Sequence, residues 1–263
     1  MHYAHYVALG DSMSIDLYPA LDRGEIDVAV ALERTTTAGR VAPLGAASLL
    51  YHNDEAHWPD EMGDDLANRC PGITFESYAT DAATIGDVFG EQLPRLSASD
   101  DPTLVTLTIG ATDLFSAFGS RPKRSLLERI VRDVGEAFDL LVDTIRRTRP
   151  TGTLLLSTIY DPSDRTARIP GVFENAGPLP LSALDSLNEH IRKLARGTPG
   201  VRLAEVYGHF LGHGVTAPEA ERWYWRRSLL EPNARGASEI RRVWLDALDP
   251  GDSGARSGTE LAA

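Results

Sequence analysis

The sequence predicts an α/β protein, a three-layer α/β/α sandwich built on a five-stranded parallel sheet. Three observations point there. Strand-like runs alternate with helical patterns along the chain. The later strand-like runs are apolar almost without interruption, as parallel strands covered on both faces require. The chain also has 263 residues, 42% of them hydrophobic, enough to bury one large core. Alternation of this kind implies right-handed crossovers, with ligands bound outside the carboxyl ends of the strands.

The first strand is His5–Leu9, and it runs straight into Gly10-Asp11-Ser12. A serine between a strand and a following helix has its hydroxyl at the lip of the sheet, near backbone N–H groups and a helix dipole. An acyl-transfer enzyme holds its nucleophile in such a place, although the same triplet also makes an ordinary turn or helix cap. From Pro19 to Trp58 the sequence mixes turn residues with short apolar pieces, which suits a lid or irregular cover. Strands follow at Ile73–Tyr78 and Leu104–Ile109. Ser125-Leu126-Leu127-Glu128 is a capping box opening a helix, with Ile130, Val131, Val134, Phe138, Leu141, Val142 and Ile145 at helical spacing. That helix must stop before Pro150. The fourth strand is Leu154–Ile159, a second box at Ser182-Ala183-Leu184-Asp185 opens another helix, and the fifth strand is Val201–Val206. A last helix runs from about Ala234 to Leu248. Residues 1–250 are expected to form a single domain, and 251–263, small, polar and glycine-bearing, a disordered tail.

Composition excludes several functions. A net charge of −12 opposes a nucleic-acid partner. Cys70 is the only cysteine, so no internal disulfide can form and nothing points to an oxidising compartment. Arg69-Cys70-Pro71-Gly72 reads as a turn ending a helix, not as a reactive thiol site. No apolar run approaches the roughly 20 residues of a membrane span, and the amino terminus passes into the first strand with no cleavable leader. These features favour a cytoplasmic protein acting on a small molecule. His52 and His57 are spaced so that one helical face cannot carry both, and no ligand set completes a metal site. No metal or cofactor is expected.

The motifs resemble those of one family. Ala8-Leu9-Gly10-Asp11-Ser12 is similar to the first block of the SGNH, or GDSL, hydrolases. Ser77-Tyr78-Ala79-Thr80-Asp81-Ala82-Ala83-Thr84 resembles their second block and Thr106-Leu107-Thr108-Ile109-Gly110-Ala111-Thr112-Asp113 their third. Glu231-Pro232-Asn233 stands where the last block is expected. The resemblance implies a flavodoxin-like strand order, a serine nucleophile at Ser12 and an oxyanion hole from Ser12, Ala82 and Thr112. It also exposes departures. Ala82 replaces the glycine of the second block, Thr112 the asparagine of the third, Glu231 the histidine base, and Ser228 the aspartate that orients it. Ala82 keeps its N–H if its backbone conformation tolerates a Cβ. Thr112 offers one donor on a shorter arm. An ordinary glutamate is a weak base toward a hydroxyl, unless burial raises its proton affinity.

A substitute base can be sought in His209-Phe210-Leu211-Gly212-His213-Gly214, after the fifth strand. His213 between glycines could swing to Ser12, with Glu231 orienting it, or it could be a solvated loop residue. His209 beside Phe210 suits packing. In Trp223-Tyr224-Trp225-Arg226-Arg227 the adjacent aromatics cannot all enter one core. Trp225 and Arg226 are therefore candidates for substrate contact, the alternative being an aromatic loop under the last helix with solvated arginines. Three readings follow: an esterase for small or medium acyl esters, an acyltransferase using Ser12, or a non-catalytic binding protein on a hydrolase scaffold.

Overall fold

A computed structural model describes residues 2–26, 41–119, 123–172 and 177–249. Strands β1 (His5–Gly10), β2 (Thr74–Ser77), β3 (Thr103–Thr108), β4 (Thr153–Ser157) and β5 (Val201–Ala204) form one sheet in the order β2-β1-β3-β4-β5. Every pairing is parallel. The expected flavodoxin-like order is therefore observed. The chain reverses its direction of travel across the sheet between β1 and β3, which opens a crevice at their carboxyl ends. Ser12 follows β1 and Thr112 follows β3, so both stand at that crevice.

Alternation along the strands divides the core in two. Tyr6 and Ala8 of β1, Leu104 of β3 and Leu155 of β4 face one layer, where the helices Ala46–Tyr51 and Ala234–Leu248 pack with Trp244 and Leu245. Val7, Leu9, Val105, Leu107, Leu154 and Leu156 face the other, against the helices Arg124–Thr148 and Leu181–Gly197. Burial of both faces explains why these strands read as continuous apolar runs.

Several boundaries differ from expectation. The helix expected at Ser125 begins at Arg124 with Lys123 as its N-cap and no side-chain cap. The helix expected at Ser182 starts at Leu181 after Pro180, again without a side-chain cap. In both, the serine lies inside the first turn, and Asp185 is drawn instead to Arg165 (2.6 Å). The segment expected as lid or cover contains two helices, Leu17–Arg23 and Ala46–Tyr51, the second almost wholly buried; residues 27–40 lie outside the described residues, as does the tail 251–263. Two short antiparallel strands, β6 (Tyr224–Trp225) and β7 (Ser228–Pro232), were not legible as strands.

Candidate active site

Gly10 has φ +119°, and a Cβ there would sit 1.8 Å from the Thr108 carbonyl oxygen, so only glycine lets β1 turn so tightly against β3. The buried Gln92 amide then grips Gly10 at both ends, accepting from its N–H (2.8 Å) and donating to its carbonyl (2.9 Å). Asp11 is buried, and its carboxylate accepts the Met13 N–H at 3.2 Å while its carbonyl accepts the Ser14 N–H at 3.1 Å. Ser12 therefore rides on a tight turn. The following helix starts only at Leu17, so the expected helix dipole does not act on Ser12; the turn positions it instead.

The N–H groups of Ser12 and Ala82 have no acceptor among the described residues. Ala82 holds φ +53°, the left-handed conformation that its glycine-like place in the motif demands. An alanine there stores strain of about 1–2 kcal/mol. Thr112 is the second residue of the helix Ala111–Gly119, half-buried, and its hydroxyl has no hydrogen bond among the described residues. Its neighbour Asp113 instead ties the two motifs together, accepting the Ile85 N–H at 3.2 Å. Three donors thus have no internal partner among the described residues.

Glu231 lies on β7, fixed from both sides. The buried Tyr160 hydroxyl donates to the Leu230 carbonyl at 2.8 Å. Asn233 caps the final helix by accepting the Gly236 N–H at 2.8 Å, and its amide donates to the Arg222 carbonyl at 2.7 Å. The Glu231 carboxylate faces the Ser12 side chain, close enough for that hydroxyl to favour its ionised form. Burial raises its pKa from 4.5 to about 7; the Ser12 hydroxyl opposes the rise and the negative charge of Asp81 adds to it. Asp11 is likewise pushed to about 7 by burial, with Glu231 and Asp113 contributing repulsion. One oxygen of each, Asp11 Oδ2 and Glu231 Oε2, is buried with no hydrogen-bond partner among the described residues.

His213 does not join this group. Its ring lies flat on Trp223, centroids 3.5 Å apart and planes 4° from parallel. The glycine-flanked loop expected to swing is pinned by Asp164. That carboxylate accepts the N–H groups of Gly212 (2.9 Å), Gly214 (3.0 Å) and Thr216 (2.9 Å), as well as the Thr216 hydroxyl (2.6 Å). Trp223 N–H also donates to the His213 carbonyl at 3.0 Å. Stacking and this clamp outweigh the freedom that flanking glycines suggest. His209 is packed as expected and bonds Glu239 at 2.8 Å. The structure thus puts Glu231 facing Ser12, while the His213 ring is stacked on Trp223.

Trp223 and Tyr224 are buried while Trp225 is half-buried, its ring 5.5 Å from that of Tyr18. Arg226 is exposed at the tip of the β6–β7 hairpin. Tyr18, whose hydroxyl donates to Asp81 at 3.0 Å, was missed from the sequence. So was Asp11, although it sits inside the first motif; nothing in a linear motif reports that a carboxylate is buried. His52 bonds its neighbouring Asn53 carbonyl (2.8 Å) and His57 pairs with Asp54 (3.1 Å), and no group of metal-binding side chains occurs among the described residues. Cys70 is buried at the end of the helix Leu66–Arg69.

The profile of the GDSL-like Lipase/Acylhydrolase family matches residues 6–237. Comparison with curated proteins returns no match. Among solved structures, the extracellular lipase from Streptomyces rimosus is 20% identical, covering 92% of this chain and 99% of its own, with a TM-score of 0.61. Phospholipase A1 from Streptomyces albidoflavus NA297 is 20% identical over 93% of this chain and 99% of its own, TM-score 0.63. An acetylxylan esterase from Geobacillus stearothermophilus is 14% identical over 93% and 94%, TM-score 0.56. At such identities these likenesses speak for the fold. No helix among the described residues is long and apolar enough to cross a membrane.

Proposed function

The chain belongs to the GDSL-like lipase/acylhydrolase family, and on that premise we propose that it is a serine esterase for small or medium acyl esters, with Ser12 as nucleophile and Glu231 as its base. The observation that carries this reading is that Ser12 faces a carboxylate whose pKa burial has raised to about 7. A base with that affinity is substantially ionised at neutral pH, yet holds a proton far better than an ordinary glutamate.

The Ser12 hydroxyl attacks the ester carbonyl carbon as its proton passes to Glu231. The oxyanion that forms takes hydrogen bonds from the Ser12 and Ala82 N–H groups and the Thr112 hydroxyl. Collapse breaks the bond to the alcohol oxygen, which leaves with the proton held by Glu231 and an acyl group on Ser12. A water molecule then attacks that acyl group, Glu231 taking its proton, and the carboxylic acid departs as Ser12 recovers its hydrogen. Trp225, against Tyr18, would face the alcohol side, with Arg226 at the rim for an anionic substituent. An acyltransferase differs only in the nucleophile of the second step. The cytoplasm is the proposed location, supported by a single cysteine that leaves no internal disulfide to form.

Hydrolysis of p-nitrophenyl acetate tests this reading, with a burst of p-nitrophenolate equal to the enzyme preceding steady turnover. Folded protein that gives neither burst nor turnover would be a binding protein on a hydrolase scaffold. Thr112→Asn supplies an amide donor on a longer arm, so kcat should rise, by up to about 10-fold, since one oxyanion donor is worth roughly 10²–10³. An unchanged kcat would mean that Thr112 takes no part in the oxyanion hole.

A further inference from the structure

Gln92 reaches the site from an uncommon turn. Thr84 caps the helix Ile85–Asp87. The chain then widens into a π-helical turn, Val88–Gln92, in which the Leu93 N–H donates to the Val88 carbonyl five residues back. Such turns are rare and recur at functional sites. Pro94 has no N–H with which to extend the ladder, and the helix ends in the short turn Leu93–Arg95. Gln92 is left inside the protein, 2% exposed.

The sheet explains what its amide does. The last paired residues of β1 and β2 are Ala8 and Ser77, and β1 continues for two residues more, to Gly10. The Tyr78 N–H still donates to the Ala8 carbonyl at 2.8 Å. In a continuing parallel ladder the Gly10 N–H would donate next to the Tyr78 carbonyl. It donates instead to Gln92 Oε1 at 2.8 Å. Gln92 Nε2 gives one hydrogen to the Gly10 carbonyl (2.9 Å) and the other to Thr80 Oγ1 (3.4 Å). The same Gly10 carbonyl also accepts the Thr80 N–H at 3.1 Å. The Gln92 amide thus replaces one peptide group of β2 and commits both of its hydrogens to the junction.

That junction stands two residues before each backbone donor of the proposed oxyanion hole: Gly10 before Ser12, and Thr80 before Ala82. Ala82 holds φ +53°, a conformation that persists only where the surroundings fix it. Gln92 and the Gly10 carbonyl pin the near end of its loop at Thr80. Asp113, accepting the Ile85 N–H, pins the far end. We propose that Gln92 is a positioning residue, which by standing in for a strand peptide sets the separation of Ser12 and Ala82 and so the geometry in which their N–H groups meet the oxyanion. The proposal rests on the serine-esterase reading. Gln92 touches no reacting atom, so its effect belongs to the stability of the oxyanion and not to substrate binding in the ground state.

The test pairs kcat/KM for p-nitrophenyl acetate with the inhibition constant of an alkyl trifluoromethyl ketone. Ser12 Oγ adds to the ketone carbon as its proton passes to Glu231, and the carbonyl oxygen becomes an oxyanion. The inhibitor therefore reports the hole without turnover. Gln92→Met keeps the side-chain length and removes the amide. In folded protein kcat/KM should fall about 10²-fold, the cost of misplacing a reacting geometry by about 1 Å, and the inhibition constant should rise by a similar factor. A residue that only supports the fold would lower Tm and leave both constants, per folded molecule, at parent values; that result overturns the proposal. Should Gln92→Met not fold, Thr80→Val, at an exposed position, removes only one of the amide's partners. A fall in kcat/KM of about fivefold, matched by the inhibition constant, supports the proposal, and parent values for both overturn it. A parent that neither cleaves the ester nor binds the ketone ends the serine-esterase reading and the proposal with it. An active parent with unaltered variants ends the proposal alone.

Discussion

Ser12→Ala lowers turnover of p-nitrophenyl acetate by about 10³-fold or more, because covalent catalysis has no route without the hydroxyl. The substitution removes one oxygen from a half-buried turn whose shape is set by Gly10, Gln92 and the Asp11 backbone. Circular dichroism and Tm should therefore stay close to the parent. The same change withdraws the hydroxyl that favours ionised Glu231, so the carboxylate pKa should climb further above 7. Undiminished turnover in the purified variant would move any esterase activity to another site.

Glu231→Gln produces the second large effect. An amide can hold Ser12 in place but cannot take its proton, and general-base catalysis contributes about 10²–10⁴. Turnover should fall by that range. Stability should change in a way that depends on pH. The folded protein binds the Glu231 proton with a pKa of about 7 against 4.5 for an exposed glutamate, so between these values the folded state keeps a proton that the unfolded chain has released. Stability from this group is present below about pH 4.5 and declines as pH rises through about 7, a loss on the order of 3 kcal/mol. Glutamine escapes that loss. The Tm of Glu231→Gln should match the parent near pH 4.5 and exceed it at pH 8. Asp11, also pushed to about 7, titrates in both proteins; in Glu231→Gln it loses the repulsion from Glu231, so its own loss at high pH shrinks and adds to the difference in the same direction. A constant Tm difference from pH 4.5 to pH 8 would show that Glu231 has an ordinary proton affinity in the folded state.

The sheet was legible because its physical cause is local: strands buried on both faces carry mostly apolar residues, and β3 and β4 pair Leu and Val with small hydroxyl residues and no charge. The motif ends put Ser12 and Thr112 at one edge of the sheet because the parallel order brings the ends of β1 and β3 together. Which side chain faces Ser12 was not legible. A histidine flanked by Gly212 and Gly214 reads as mobile, yet Asp164, nearly fifty residues earlier in sequence, fixes that loop through its backbone. Stacking of His213 on Trp223 is likewise a long-range packing result. The raised proton affinity of Glu231 depends on enclosure by distant segments, and no local pattern encodes that. The β6–β7 hairpin escaped notice because a two-residue strand paired with one of five residues carries too little alternation to read.

The rate at which a fluorophosphonate captures Ser12, followed by peptide mass mapping from pH 5 to pH 9, tests the pairing of Ser12 with Glu231 most directly. Parent protein should be labelled once, at Ser12, with a rate that rises with pH, half-maximal near 7, and then levels. In Glu231→Gln the rate should be at least about 10²-fold lower and should lose that step. Equal rates in the two proteins, or a step near 7 that survives in Glu231→Gln, would contradict Glu231 as the group that activates Ser12.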